Sequence, residues 1–310
     1  MAAFAFLFSC FPDSKMTMNE VTIQVPATTA NLGPGYDCLG VALQIYNRVT
    51  VRRMRNAECG MRNEMAAEAA ALFFKTAQVS PFDFDWRVEG DVPRSRGLGS
   101  SVTVRLGILH GLNELCDKPL NNQQLFEICA ELEGHPDNAA PAAFGGFTVA
   151  AVYDRRPTLT ERRYSAQRFE VAPELQFVLL IPDFEISTPA ARNVLPAQLD
   201  RLSAAASCAN ACRITAAFAM QNYEMLRGAF ADGLHQPFRE KELIPFLSRV
   251  ITAVESAGAL GGFLSGSGST ICCVTLHDAE KVAAAMLAAS GQQNARTVIT
   301  TADNQGANKC

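Results

Sequence analysis

The sequence predicts an α+β protein of two domains sharing a cleft, with mixed β-sheets and packed helices. Three observations predict it. Segments rich in β-branched and aromatic residues are interspersed with helical runs along most of the chain. A length of 310 residues, 48% hydrophobic content and a mean hydropathy of +0.06 allow a sizeable core divided between two domains. Two glycine-serine turns, at 97–101 and 265–270, each adjoin a regular element and sit far apart in sequence.

In chain order, strand signals fall at VTIQV (21–25), IYNRVTV (45–51), FDWRVEG (84–90), FGGFTVAAVY (144–153), QFVLLIP (176–182) and TICCVTL (270–276). Helix signals fall at 63–77, 100–115, 122–133, 199–221 and 278–290. The apolar start MAAFAFLFSCF is too short to span a bilayer and lacks a basic flank or a clear cleavage site. Residues 1–18 are therefore expected to be an extension outside the fold, a start upstream of Met16 or Met18 explaining them more plainly than a signal peptide. The polar, weakly patterned segment from Tyr153 to Glu170 marks a junction, dividing the chain into domains at 19–160 and 161–310.

The stretch from Pro93 to Thr103 is the most informative. Its residues Pro93, Arg94, Ser95, Arg96, Gly97, Leu98, Gly99, Ser100, Ser101, Val102 and Thr103 form a glycine turn running into a helix. Glycines allow close approach of an anion to the main chain, and the first amides of a helix are unpaired at its positive end. The stretch lacks the lysine of a Walker loop, and it is not the GxGxxG of a dinucleotide fold. A helix-capping turn would explain GLGSS alone; its neighbours carry the phosphate-binding reading. They are the Gly, Pro and Asn loop holding Asn31, Tyr36 and Asp37, the cluster EGHPDN with His135, Asp137 and Asn138, and the second turn with Gly266, Ser267 and Gly268.

A net charge of −4 without a long basic run argues against nucleic acid as the partner. Ten scattered cysteines without a CxxC pair, with four histidines, argue against zinc and fit reduced, mostly buried thiols in a cytoplasmic protein. No stretch calls for a membrane.

In these motifs the chain resembles the homoserine kinase family of the GHMP kinases. PATTANLGPGYD (26–37) matches the first family motif, PRSRGLGSS (93–101) the second and LSGSGST (264–270) the third, while EGHPDN, STPAARNVLP and LHQPFR point to homoserine kinases in particular. The resemblance implies a two-domain GHMP kinase fold whose cleft binds ATP and L-homoserine and transfers phosphate to the homoserine hydroxyl, a step toward threonine. It implies that Arg192 and Arg239 grip the substrate carboxylate, that Asp37 and Asn31 meet its ammonium and hydroxyl, and that His135 and Asp137 complete the wall. Asn138 stands where some relatives have an aspartate base, and an amide cannot take the proton, so catalysis rests on positioning and charge neutralisation. Thr188 is placed near the transferring group by resemblance alone.

A helix dipole contributes only about 0.3–2 kcal/mol, so holding a triphosphate on an acidic protein also calls for Arg94, Arg96 and Mg2+. Ser101 and Glu131 are the expected metal ligands, with Glu127 or Glu133 as alternatives; Glu127 and Glu131 share a helix face. Departures from the family pattern are Val102-Thr103, Arg105 and Ser269, together with a short segment from Arg52 to Arg62 that leaves the adenine wall unassigned. The sequence does not fix the oligomeric state; the resemblance allows a homodimer, with the Cys- and Ala-rich helices as a candidate face. Another GHMP kinase and a non-catalytic nucleotide sensor remain open alternatives.

Overall fold

β1 (Glu20–Ala30) alternates apolar with polar residues at its start, and this spacing of two sends Val21, Ile23 and Val25 into one core. The computed structural model describes residues 18–54, 64–153 and 163–310. The expected extension before Met18, most of the Arg52–Arg62 segment and the centre of the expected junction lie outside the described residues.

β1 pairs antiparallel with β2 (Leu39–Arg53), which also pairs with β3 (Phe84–Gly90) and β4 (Phe147–Tyr153). Register shifts between Pro26 and Ala27, where an irregularity accommodates a residue with no amide hydrogen to donate. Before it the strand feeds the helix-covered core; after it Ala27 joins a second, central core. β5 (Arg163–Phe169) pairs with β4 along its whole length, so the polar stretch expected to be a junction instead supplies an edge strand.

α1 (Glu64–Ala77), α2 (Ser100–Leu115), α3 (Asn122–Glu133) and α4 (Ala139–Phe144) contribute Phe73, Leu106, Leu109, Phe126 and Ala142 to the core that also holds the start of β1. α3 begins with a capping box in which Asn121 and Gln124 satisfy each other's backbone amides.

The second sheet has the order β7-β8-β6-β9, made of β6 (Gln176–Ile181), β7 (Gly261–Leu264), β8 (Ile271–Thr275) and β9 (Arg296–Thr301). After Gln176, β6 is apolar without interruption because both faces are covered. Phe177 and Leu179 enter the central core with Leu39 and Val41 of β2, and Val178 and Leu180 enter a third core.

The helices of this half are α5 (Thr188–Asn193), α6 (Arg201–Ala219), α7 (Gln236–Glu242), α8 (Leu247–Ala257) and α9 (Ala279–Ser290). α8 and α9 fill the third core with Val250, Val254, Val282 and Met286. α6 stacks Phe218 on Phe147 of β4 at a centroid distance of 4.1 Å, tying the halves together.

The last strand, β10 (Asn308–Lys309), returns to β1. Dividing the chain at 160/161 thus assigns β5 and β10 to the second half, although both belong to the first sheet. Among the described cysteines, Cys129, Cys272 and Cys273 are buried, whereas Cys208, Cys212 and Cys310 are exposed, which corrects the expectation of mostly buried thiols. No helix among the described residues is long and apolar enough to cross a membrane.

His110 of α2 is buried, and its Nε2 has no hydrogen-bond partner among the described residues. Burial pushes its pKa down to about 4, against an opposing pull from Glu114. The unfolded chain takes up the proton below its ordinary value of about 6.5, whereas the folded protein resists until about pH 4, so stability is full above 6.5 and falls between those limits. Urea unfolding at pH 7 and pH 4.5 is expected to show His110→Leu losing about 2–3 kcal/mol less on acidification than the parent. Equal losses in both proteins would show that His110 does not titrate in this way.

Candidate active site

The two glycine turns meet. A Cβ on Gly97 would lie 2.1 Å from the Ser265 carbonyl oxygen and 2.9 Å from the Gly268 amide nitrogen, so only glycine lets the turns touch. Ser265 Oγ donates to the Gly97 carbonyl at 2.6 Å, and Thr29 Oγ1 lies 2.8 Å from Ser265 Oγ. Gly99, left-handed at φ 68°, starts α2 with no side-chain cap, so the first amides of the helix keep their capacity for an anion at the cleft. The cleft has a volume of about 410 Å³ and is lined from Arg94 to Val102, by Gly266 and Ser267, and by the residues described next.

At one end lie the charged groups. Arg192 of α5 holds Asp37 with both amino groups, at 2.8 and 3.2 Å, and donates to the Tyr36 hydroxyl at 2.9 Å. Arg239 of α7 is buried, donating to Ala191 O and Gly266 O and facing His235 Nδ1 at 3.2 Å. Burial, reinforced by the Arg239 charge, pushes the His235 pKa down to about 4 despite Asp232. The ring is neutral, its Nε2 donating to Gly33 O at 2.8 Å and its Nδ1 accepting from Arg239. Nη2 of Arg239 has no hydrogen-bond partner among the described residues, which leaves it a donor for a ligand.

His135 Nδ1 meets Asp137 Oδ1 at 2.5 Å. Burial alone would neutralise both, but each holds the other charged: the Asp137 carboxyl stays below the usual range and the His135 imidazole above it. The ligand atoms of Asp37, His135 and Asp137 all lie within 4.8 Å of one another. Asn31 donates to Gly266 O at 3.1 Å and accepts from the Asp37 amide at 3.0 Å, linking this end to the second turn. Asn138 Oδ1 accepts from Thr28 Oγ1 at 2.7 Å.

The GHMP kinase N-terminal domain matches residues 64–146 and the GHMP kinase C-terminal domain matches residues 214–292. A homoserine kinase of a Synechococcus strain is 41% identical over 86% of this chain and 90% of its own length. The chain belongs to the homoserine kinase family of the GHMP kinases. A homoserine kinase of Halothermothrix orenii is 33% identical over 92% of this chain and 94% of its own length. The crystal structure of a homoserine kinase from Cytophaga hutchinsonii shares the fold at a TM-score of 0.82 and 23% identity, covering 99% of this chain and all of that one. A phosphomevalonate kinase from Streptococcus pneumoniae also shares it, at a TM-score of 0.71 and 13% identity over 94% of this chain and all of that one. The fold is thus shared with a kinase of another name, while these homoserine kinases are 33% and 41% identical over most of the chain.

Within this homoserine kinase framework, most of the expected site residues come together and several do not. Asn31, Asp37, His135, Asp137, Asn138, Thr188, Arg192 and Arg239 all line the cleft. Pro93, Thr103 and Gly268 do not. Thr103 is buried, bonded to Ser100 O and Asn47, and serves the helix rather than a ligand.

Arg96 reaches the cleft but spends its charge elsewhere, donating to Pro182 O and pairing with Asp183 and Glu185 at 3.6 and 3.3 Å. Glu131 is exposed and Glu127 is bonded to Gln123, and neither lines the cleft. Glu133, at the end of α3, does line it and accepts from Ser101 Oγ at 3.0 Å. Sequence reading missed the apolar end of the cleft, formed by Met65, Trp86, Val88 and Val104. A lone tryptophan on a half-buried strand was the available signal.

Proposed function

We propose that this protein transfers the γ-phosphoryl group of ATP to the hydroxyl of L-homoserine, giving O-phospho-L-homoserine for threonine synthesis. The contact between the two glycine turns beside an acid-and-arginine pocket carries this reading. The triphosphate lies along 94–102 and the α2 amides, with Arg94 exposed at the cleft to meet it. The adenine base rests on Trp86, Val88, Val104 and Met65, whose apolar surfaces suit a flat heterocycle. The substrate's ammonium goes to Asp37 and its carboxylate to Arg192 and Arg239, guanidinium forks being suited to a planar anion.

Ser101 and Glu133 would hold Mg2+. Their adjoining oxygen atoms fit a hard cation, and Glu133 takes the role expected of Glu131. When bound, that ion neutralises charge on the phosphates. Asn138 has its amide oxygen engaged by Thr28 and no acid–base capacity, so it orients rather than accepts a proton. The hydroxyl proton leaves to phosphate or water, and Thr188 donates toward the transferring group.

A coupled assay of ADP release, run with L-homoserine and a panel of mevalonate-like and sugar alcohols, tests the assignment. Rapid release with L-homoserine alone is expected. Turnover of another alcohol in its place, or ligand binding without any ADP release, would overturn it.

A further inference from the structure

Arg105 lies one helical turn beyond Ser101 on α2 and is joined to the same carboxylate. Its Nη1 donates to Glu133 Oε1 at 2.6 Å while Ser101 donates to Glu133 Oε2 at 3.0 Å. The Arg105 and Glu133 side chains are only 14% and 9% exposed. Nη2 of Arg105 reaches the half-exposed Glu68 of α1 at 3.5 Å, and Nε is buried with no hydrogen-bond partner among the described residues. A buried unsatisfied N–H is costly, so the guanidinium is held here by what it makes with Glu133.

We propose that Arg105 is a positioning residue for the cation site: it anchors one oxygen of Glu133, leaves the other beside Ser101, and by its charge keeps the site weak for a free cation. This rests on the reading of Ser101 and Glu133 as the magnesium ligands. A carboxylate gripped at Oε1 cannot swing round to chelate an ion with both oxygens, so its aim is fixed before nucleotide arrives. A neighbouring guanidinium also repels a divalent ion in a site poorly screened by water. The ion is then retained only with the extra oxygens of the nucleotide phosphates, which ties metal binding to nucleotide binding. Without Arg105, Glu133 becomes a buried carboxylate lacking compensation, and a free cation relieves it.

The experiment measures Mn2+ binding to the nucleotide-free protein together with steady-state turnover of MgATP and homoserine. For Arg105→Met, free Mn2+ is expected to bind on the order of tenfold more tightly while kcat falls on the order of tenfold, opposite movements that general loss of structure would not produce. Arg105→Lys keeps the charge and loses the fork, so it should hold Mn2+ as the parent does and recover part of kcat. Glu133→Gln should lose both Mn2+ binding and turnover.

If Glu133→Gln loses Mn2+ but Arg105→Met binds it no better than the parent, the role of Arg105 is overturned and the ligand assignment stands. Undiminished Mn2+ binding in Glu133→Gln overturns the ligand assignment itself. Should Arg105→Met not fold, Arg105→Lys decides: full kcat in that variant defeats the positioning role.

Discussion

Arg192→Ala is expected to lower kcat/KM for homoserine by about two to three orders of magnitude while leaving ATP affinity unchanged. Truncating one member of a desolvated charged pair costs about 2–5 kcal/mol, which sets that range. Before substrate binds, Arg192 and Asp37 neutralise each other, with side chains 38% and 28% exposed. A pair so accessible to water is worth about 0–1 kcal/mol, so opening it costs little and losing it barely affects folding.

A zwitterion then replaces the internal pair with two external ones, its ammonium on Asp37 and its carboxylate on Arg192 and Arg239. An alcohol without these charges gains neither external pair, and the absence of those contacts is a basis for selectivity. Arg239 is the poorer test because its buried guanidinium also supports Ala191, Gly266 and His235, so its loss would disturb the fold as well. A normal homoserine KM in Arg192→Ala would remove the residue from the substrate site.

The parts of the site legible in the sequence are those in which backbone conformation carries the chemistry. Gly97, Gly99 and Ser101 announce an anion loop because few other residues permit that path. Side chains whose direction depends on distant partners were not legible. Arg96 looks like a phosphate ligand until Asp183 and Glu185, nearly ninety positions on, draw it away. Asp37 and Arg192 were each assigned to substrate, and their pairing with each other across 155 positions leaves no local trace.

Helical spacing favoured Glu127 and Glu131, yet the residue beside Ser101 is Glu133, the last before the helix stops at left-handed Gly134. Periodicity describes the faces of a helix and says little of its end. The same limit hid α4, α5 and α7, of six, six and seven residues, which are too short to establish a period. α8 was different, for Leu247, Val250 and Val254 at helical spacing offered a readable signal.

Gly97→Ala is expected to raise the Kd for ATP about a hundredfold, with a comparable loss of turnover. Two effects combine at this position. The residue sits at φ +74°, where an L side chain costs roughly 1–2 kcal/mol. The new methyl would also fall 2.1 Å from Ser265 O, a backbone atom that cannot rotate aside. Relieving the clash means parting the two turns by about an ångström, and displacement on that scale costs on the order of 100-fold in an aligned site. Gly228→Ala separates the two effects: its φ is +69°, but nothing lies within 4 Å of the added carbon. That control should lose roughly 1–2 kcal/mol of stability by urea unfolding and bind ATP as the parent does. The difference between the variants, read by calorimetric titration with ATP, isolates the contact between the turns. Equal ATP affinity in both would mean that this contact does not shape the nucleotide site.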